Sequence, residues 1–343
     1  MEKTHHESKS IEPGQEWEID LFRPEDAPGV TDLFRSVYGT GYPIKTYIDP
    51  ALLIEENASG RTISSVAKTQ KGDIVGHIAF YQSAPFKGVY ESGAGAVHKD
   101  YRGGKGIFTD LVVRGQEEVA KRVDIHGIFG EAVCNHVFSQ KMTMNRGWVT
   151  HAVEVDLMPS AAYTKEKSAP GRVASLLDFK TLKPKPHRVW IPEVYDEPLR
   201  YIYEGLDDSR EIRLSDEAAE PQSITRMESQ VFDFAQVARL AVWEAGSDFE
   251  TTIEKEEGAV RDQGVTVIQV WLNLSQPCTG RVTGLLRNRG FFLGGILPRW
   301  FDTDGLLMMK ILHRPHWEDM NIFSERAKRI VDIARSDWEK RQP

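Results

Sequence analysis

Arg102-Gly103-Gly104-Lys105-Gly106 sets two formal cations among three glycines. Such a segment suits an anion. Glycine has no side chain, so backbone N–H groups can close on a phosphate, and Arg102 and Lys105 add charge. The small residues before it, Gly93-Ala94-Gly95-Ala96-Val97, predict a strand. From Ile107 onward Phe108, Leu111, Val112, Val119, Ala120 and Val123 recur at three- and four-residue spacing and predict an amphipathic helix. Strand, glycine loop and helix start together make an anion site, because a helix N-terminus contributes partial positive charge.

The 343 residues suffice for two domains, and 40% hydrophobic residues allow a sizeable core. A net charge of −8 argues against a nucleic-acid binder, which would present a basic face. No apolar run approaches the roughly 20 residues that span a membrane, and the polar N-terminus lacks an apolar signal core. Cys134 and Cys278 lie far apart and give neither metal spacing nor a disulfide framework, so a cytoplasmic protein is expected.

The elements that would position the loop alternate strand and helix over 17–158. Strands are expected at 17–22, 62–68, 74–81, 93–97, 128–134 and 149–157, and helices near 24–37, 107–123 and 138–144. Residues 1–16 read as a disordered tail whose His5-His6 pair is solvated. Residues 159–190, polar and then proline-rich, read as a linker. A second series follows over 191–316: a helix at 195–206, strands at 223–229, 235–243 and 265–274, a charged helix at 249–262, a helix at 277–289 stopped by Gly290, and a strand pair at 291–297 and 305–312. The EKEEG run reads as a solvated face, and 317–343 as a C-terminal helix packed by one apolar stripe. Trp243, Trp271 and Trp300 read as core or interface residues.

On these residues the first half resembles the GCN5-related N-acetyltransferases (GNAT). The marker is a strand ending in Val97, a short turn, and Arg102 to Gly106-Ile107-Phe108 opening a helix. Asn135 and Gly147-Trp148 match the family's late Asn and Gly-aromatic pair. The loop is a variant: three residues rather than two separate Arg102 from Gly106, and Phe108 replaces a small residue. The resemblance implies an α/β fold of α+β mixed-sheet type. It also implies acetyl-CoA as co-substrate, held by Ala96, Val97, Arg102, Gly103, Gly104, Lys105, Gly106, Ile107 and Asn135. Gly290-Phe291 repeats the Gly-aromatic pair. In the second half, however, Glu244-Ala245-Gly246-Ser247-Asp248 is acidic where a pyrophosphate loop would be basic, and like charge repels the cofactor. Residues 191–316 are therefore expected to be a degenerate GNAT-like domain without a cofactor of its own.

Acetyl transfer to an amine requires loss of a proton from the amine, polarisation of the thioester and protonation of the departing thiolate. Glu91, eleven residues before Arg102, is the first candidate base; the bland alternative is an exposed strand-end carboxylate. Glu131, on the next strand, is a second candidate that would hold a water or bind the amine. Thr143 stands where many family members place a Tyr general acid, which leaves that role unassigned. His98 and His136 flank the expected cleft and read as structural. The expected protein is an N-acetyltransferase working by direct attack in a ternary complex, with a non-catalytic acyl-CoA-sensing or partner-binding protein as the alternative. A homodimer formed through the tail helix or the 291–312 strand pair is left open.

Overall fold

In the computed structural model, described for residues 11–39, 42, 44–104, 106–122, 124–163, 171–216, 218–221 and 223–341, the chain divides into two compact units. Met1–Ser83 with Tyr90–Ile125 form one, and Ala84–Val89 with His126–Pro343 form the other. The division falls earlier than the expected boundary at 158. His5-His6, Lys105 and Val123 lie outside the described residues.

The first unit is a sheet with helices. Strands β1 (Trp17–Leu21), β2 (Thr62–Thr69), β3 (Ile74–Tyr81) and β4 (Val89–Val97) pair antiparallel in that order. Helices α1 (Ala27–Tyr38), α2 (Pro50–Ala58) and α3 (Ile107–Ala120) accompany them. The sequence reading passed over α2, yet it carries a local start signal. The Asp49 carboxylate accepts from the backbone N–H groups of Ala51 and Leu52, and Pro50 opens the first turn. The core joins Val30, Leu33 and Phe34 of α1 to Leu53, Val66 and Ile74.

The second unit contains β5 (Gly127–Val133), α4 (Phe138–Asn145), β6 (Val149–Met158), β7 (Val173–Thr181), β8 (His187–Ile191), α5 (Asp196–Tyr203) and β9 (Arg210–Leu214). It continues with β10 (Arg226–Phe232), β11 (Val237–Glu244), α6 (Phe249–Asp262), β12 (Val267–Asn273), α7 (Thr279–Asn288), β13 (Phe292–Leu297), β14 (Gly305–Ile311) and α8 (Glu325–Glu339). Its strands run in the order β5-β7-β6-β13-β14-β12-β11-β10, and β8 pairs parallel with β9. The order is mirrored about β6 and β13, which meet antiparallel at Ala152 and Gly295. The helix exits repeat as well. Gly147 and Gly290 both take left-handed backbone, and the N–H groups of Trp148 and Phe291 donate back to Thr143 O and Leu286 O.

Four expectations are corrected. The segment read as a linker contains β7, buried between β5 and β6, and β8. The part of the tail that is described is anchored: Tyr101 Oη donates to Glu12 O at 2.7 Å, and Gln15 N–H donates to Tyr101 Oη at 3.3 Å. The last helix begins only at Glu325, because the Ser324 hydroxyl caps it by accepting from Ala327 N–H. Glu257 of the EKEEG run is buried and ion-paired to Arg289 and Lys310. Of the three tryptophans, Trp300 and Trp271 are buried and Trp243 is half-buried against Phe301.

Candidate active site

Strand β4 is irregular where its side chains are smallest. His77 of β3 faces Ala96 and Ala79 faces Gly93, so Ile78 is opposed by both Ala94 and Gly95. This is a β-bulge, and its residue Ala94 has a positive φ of 49°. Two side chains hold the bulge. His77 donates from Nδ1 to Ala94 O at 2.9 Å, and Tyr38 Oη donates to Gly95 O at 2.7 Å. Burial pushes the His77 imidazole down to about 4, against the opposing pull of that carbonyl, so the ring is neutral near pH 7.

Beyond β4 the chain enters the glycine loop. Gly103, Gly104 and Gly106 have φ of 86°, 90° and 77°, a region L side chains rarely adopt, which is why this loop needs glycine. A Cβ at Gly103 or Gly104 would meet nothing within 4 Å, so the loop is open on that side. Arg102 donates from Nε to Val97 O at 2.9 Å, which ties the loop to the strand end. Gly106, which has no side chain to cap the first turn, then starts α3. Backbone N–H groups at left-handed glycines just before a helix start are donors of the kind that can hold an anion.

Glu91 sits at the other end of β4, six residues before Val97, or roughly 20 Å along a strand. It is buried, in place of the exposed strand-end carboxylate that was the bland alternative. Tyr81, its cross-strand partner on β3, donates its hydroxyl to Glu91 Oε1 at 2.6 Å. Tyr47 is also close: burial, then the charges of Glu91 and Glu56, push its phenol well above the ordinary range. Phe34 stacks on Tyr47 with centroids 5.1 Å apart, and Tyr42 meets Phe34 edge-on at 4.9 Å. Sequence reasoning missed Tyr81, Tyr38 and His77. Alternation along β3 puts Tyr81 and His77 on one face, but which β4 residues they meet depends on the bulge.

The remaining candidates belong to the second unit. Glu131 of β5 pairs with Arg239 of β11 at 2.8 Å, and Arg239 also reaches Glu154 at 3.1 Å. Five strands stand between β5 and β11 in the sheet order, so the sheet curls to bring them together. The Arg239 guanidinium, which is always charged, thus occupies the carboxylate that was expected to hold a water or the amine. The Asn135 carbonyl accepts from Asn321 Nδ2 at 3.3 Å. Thr143 donates to Asp178 Oδ2 at 2.5 Å, and Thr150 donates to Oδ1 at 2.6 Å. Burial pushes the Asp178 carboxyl up to about 6 despite those two hydroxyls. His98, back in the first unit, is pushed down mainly by burial and lies edge-on to Tyr101.

The second-half loop is filled from within. Ala245 N–H donates to Gln276 Oε1 at 2.9 Å, Gly246 N–H to Thr225 Oγ1 at 3.0 Å, and Ser247 N–H to Ser223 O at 3.0 Å. A Cβ on Gly246 would lie 2.3–2.4 Å from the backbone of Ser223, Ile224 and Thr225. Strands β11 and β12 pair in unbroken parallel register from Val237–Val267 to Val242–Leu272, which leaves no gap for a ligand arm between them.

No family model matches the chain, and no curated protein matches it by sequence. Solved structures do. A ribosomal-protein-S5-alanine acetyltransferase from Vibrio fischeri is 16% identical, covers 48% of this chain and 92% of its own, and has a TM-score of 0.38. A GNAT family N-acetyltransferase from Escherichia coli in complex with CoA is 17% identical, covers 50% and 85%, and scores 0.33. A spermidine/spermine N-acetyltransferase from Vibrio cholerae is 11% identical, covers 49% and 95%, and scores 0.39. Over about half of its length the chain is thus similar to solved structures of GNAT acetyltransferases.

Proposed function

We propose that the protein is an acetyl-CoA-dependent N-acetyltransferase with one donor site, built on β4 and the loop 102–106, and with a degenerate, cofactor-free repeat of the same fold in its second half. The observation that carries this reading is the left-handed backbone of Gly103, Gly104 and Gly106 just ahead of the start of α3. Pyrophosphate oxygens would accept from these N–H groups while Arg102 supplies charge. An extended pantetheine arm would run along β4 toward Glu91.

Glu91 takes the proton of the acceptor amine. The nitrogen bonds to the acetyl carbon, the C–S bond breaks, and the departing thiolate collects a proton from solvent. A thiol is acidic enough to leave in this way without a dedicated acid, which accommodates Thr143 at the position of the family's Tyr. The acidic chain favours cationic amines by long-range steering.

Calorimetric titration of acetyl-CoA into the purified chain tests this reading. One site per chain, weakened in Arg102→Ala, is the expected result. Two sites would overturn the degenerate second half, and absence of binding would overturn the acyltransferase.

A further inference from the structure

Asp156, His313 and His316 converge at one end of the second unit, in a cluster that plays no part in the proposed acetyl transfer. Asp156 lies in β6 with 0% exposure and a positive φ of 55°, at the place where the register of β6 against β7 breaks between Glu154 and Met158. A buried, non-glycine residue in left-handed backbone is strained, and here the bulge turns its carboxylate toward the segment that follows β14. His313 Nε2 lies 2.8 Å from Asp156 Oδ2, and His316 Nδ1 lies 2.9 Å from the same oxygen. The His316 N–H donates to Oδ1 at 3.3 Å.

The surroundings are built around these rings. Gly171 lies against His316 so closely that a Cβ there would be 2.5 Å from Cδ2, which fixes the ring plane. Pro315 stiffens the His313-Arg314-Pro315-His316 turn. Arg172, the neighbouring cation, directs its guanidinium to the carbonyls of Asp156, Leu157 and Ala235 rather than to the carboxylate. The buried anion therefore faces two imidazoles and no Lys or Arg side chain within ion-pair distance among the described residues.

We propose that Asp156, His313 and His316 hold a divalent transition cation of the zinc class. The three donor atoms lie within 4.8 Å of one another, so a single ion reaches all of them. Two imidazole nitrogens and one carboxylate oxygen match the three-ligand zinc set, with a fourth position left for water. The side chains of His313 and His316 are 29% and 35% exposed, which gives the ion a way in and water a place to sit. On binding, His313 coordinates through Nε2 and His316 through Nδ1, and each ring carries its proton on the other nitrogen. The ion clamps the segment after β14 onto β6.

The test uses the full chain, stripped by a chelator and titrated with Zn²⁺ against a chromophoric competitor. A parallel Co²⁺ titration is read by visible absorption. One equivalent should bind with the intense bands of four-coordinate Co²⁺, and Zn²⁺ should raise the melting temperature. His313→Ala and His316→Ala should each abolish stoichiometric binding; both residues are partly exposed, and cooperative melting shows that the variants fold. A His5→Ala/His6→Ala double variant should bind like the parent. Absence of a one-equivalent site, or loss of that site in the tail variant but not in His313→Ala, would overturn the proposal and leave the histidines as hydrogen-bond partners of a buried carboxylate.

Discussion

Tyr81 and Glu91 face each other across β3 and β4, the phenol hydroxyl 2.6 Å from Oε1. The pair holds the carboxylate in one orientation beside the bulged strand. Glu91→Gln keeps the shape and removes the proton acceptor. It should lower kcat by about 10²–10⁴-fold, the usual worth of a positioned base, while the Kd for acetyl-CoA stays unchanged. Tyr81→Phe removes a donor to the charged form, so the acid limb of the kcat/KM profile should move to higher pH. An unaltered profile in both variants would remove Glu91 as the base.

Gly104 tests the loop without touching charge. Apart from its chain neighbours, an alanine there meets no atom within 4 Å among the described residues, so its expected effect is conformational. Holding an L residue in left-handed backbone costs about 1–2 kcal/mol. If acetyl-CoA requires this loop conformation, Gly104→Ala should weaken binding about tenfold, measured by calorimetry, with little change in melting temperature.

Gly246 offers the converse experiment. Its Cβ would overlap the backbone of Ser223–Thr225, so Gly246→Ala should destabilise the fold by about 1–3 kcal/mol. Because the N–H groups of that loop already have partners, the acetyl-CoA stoichiometry and Kd should not move. A weakened Kd at unchanged stoichiometry would show that the second half contributes to the donor site.

Asp178 gives a pH dependence with a definite sign. Burial raises its carboxyl from 3.8 to about 6. The folded state therefore holds a proton that the unfolded state has released, and the contribution of this group is fully present below pH 3.8. It is lost as pH rises through about 6, a swing of roughly 3 kcal/mol. Asp178→Asn cannot ionise, so its stability relative to the parent should improve between about pH 4 and pH 7, measured by denaturant unfolding. Thr143→Val, which removes a donor to the charged form, should lose more stability at neutral pH than in acid. A variant–parent gap independent of pH would refute the assignment.

Features that depend only on neighbours along the chain are legible in the residues alone. The left-handed glycines of the loop, the amphipathic α3, the Gly147-Trp148 and Gly290-Phe291 helix exits and the repeated order of elements are all local, set by backbone freedom and by 3.6- or two-residue periodicity. The acidic 244–248 loop announced its mismatch with a phosphate through charge alone. Features that join residues far apart in sequence emerge only on folding. Strand β7 was hidden because its inward Asp178 breaks the apolar run and prolines follow it; only pairing with β5 and the hydroxyls of Thr143 and Thr150 make a buried carboxylate tolerable there. Glu131 and Glu91 are equivalent in a list of carboxylates. Arg239, 108 residues away, neutralises the first, and the register of β3 against β4 gives the second a phenol. Asp156 and His313, 157 residues apart, meet only because a bulge turns one toward the other. Composition and spacing do not contain such contacts, since the strands that create them are brought together by burial of the whole core.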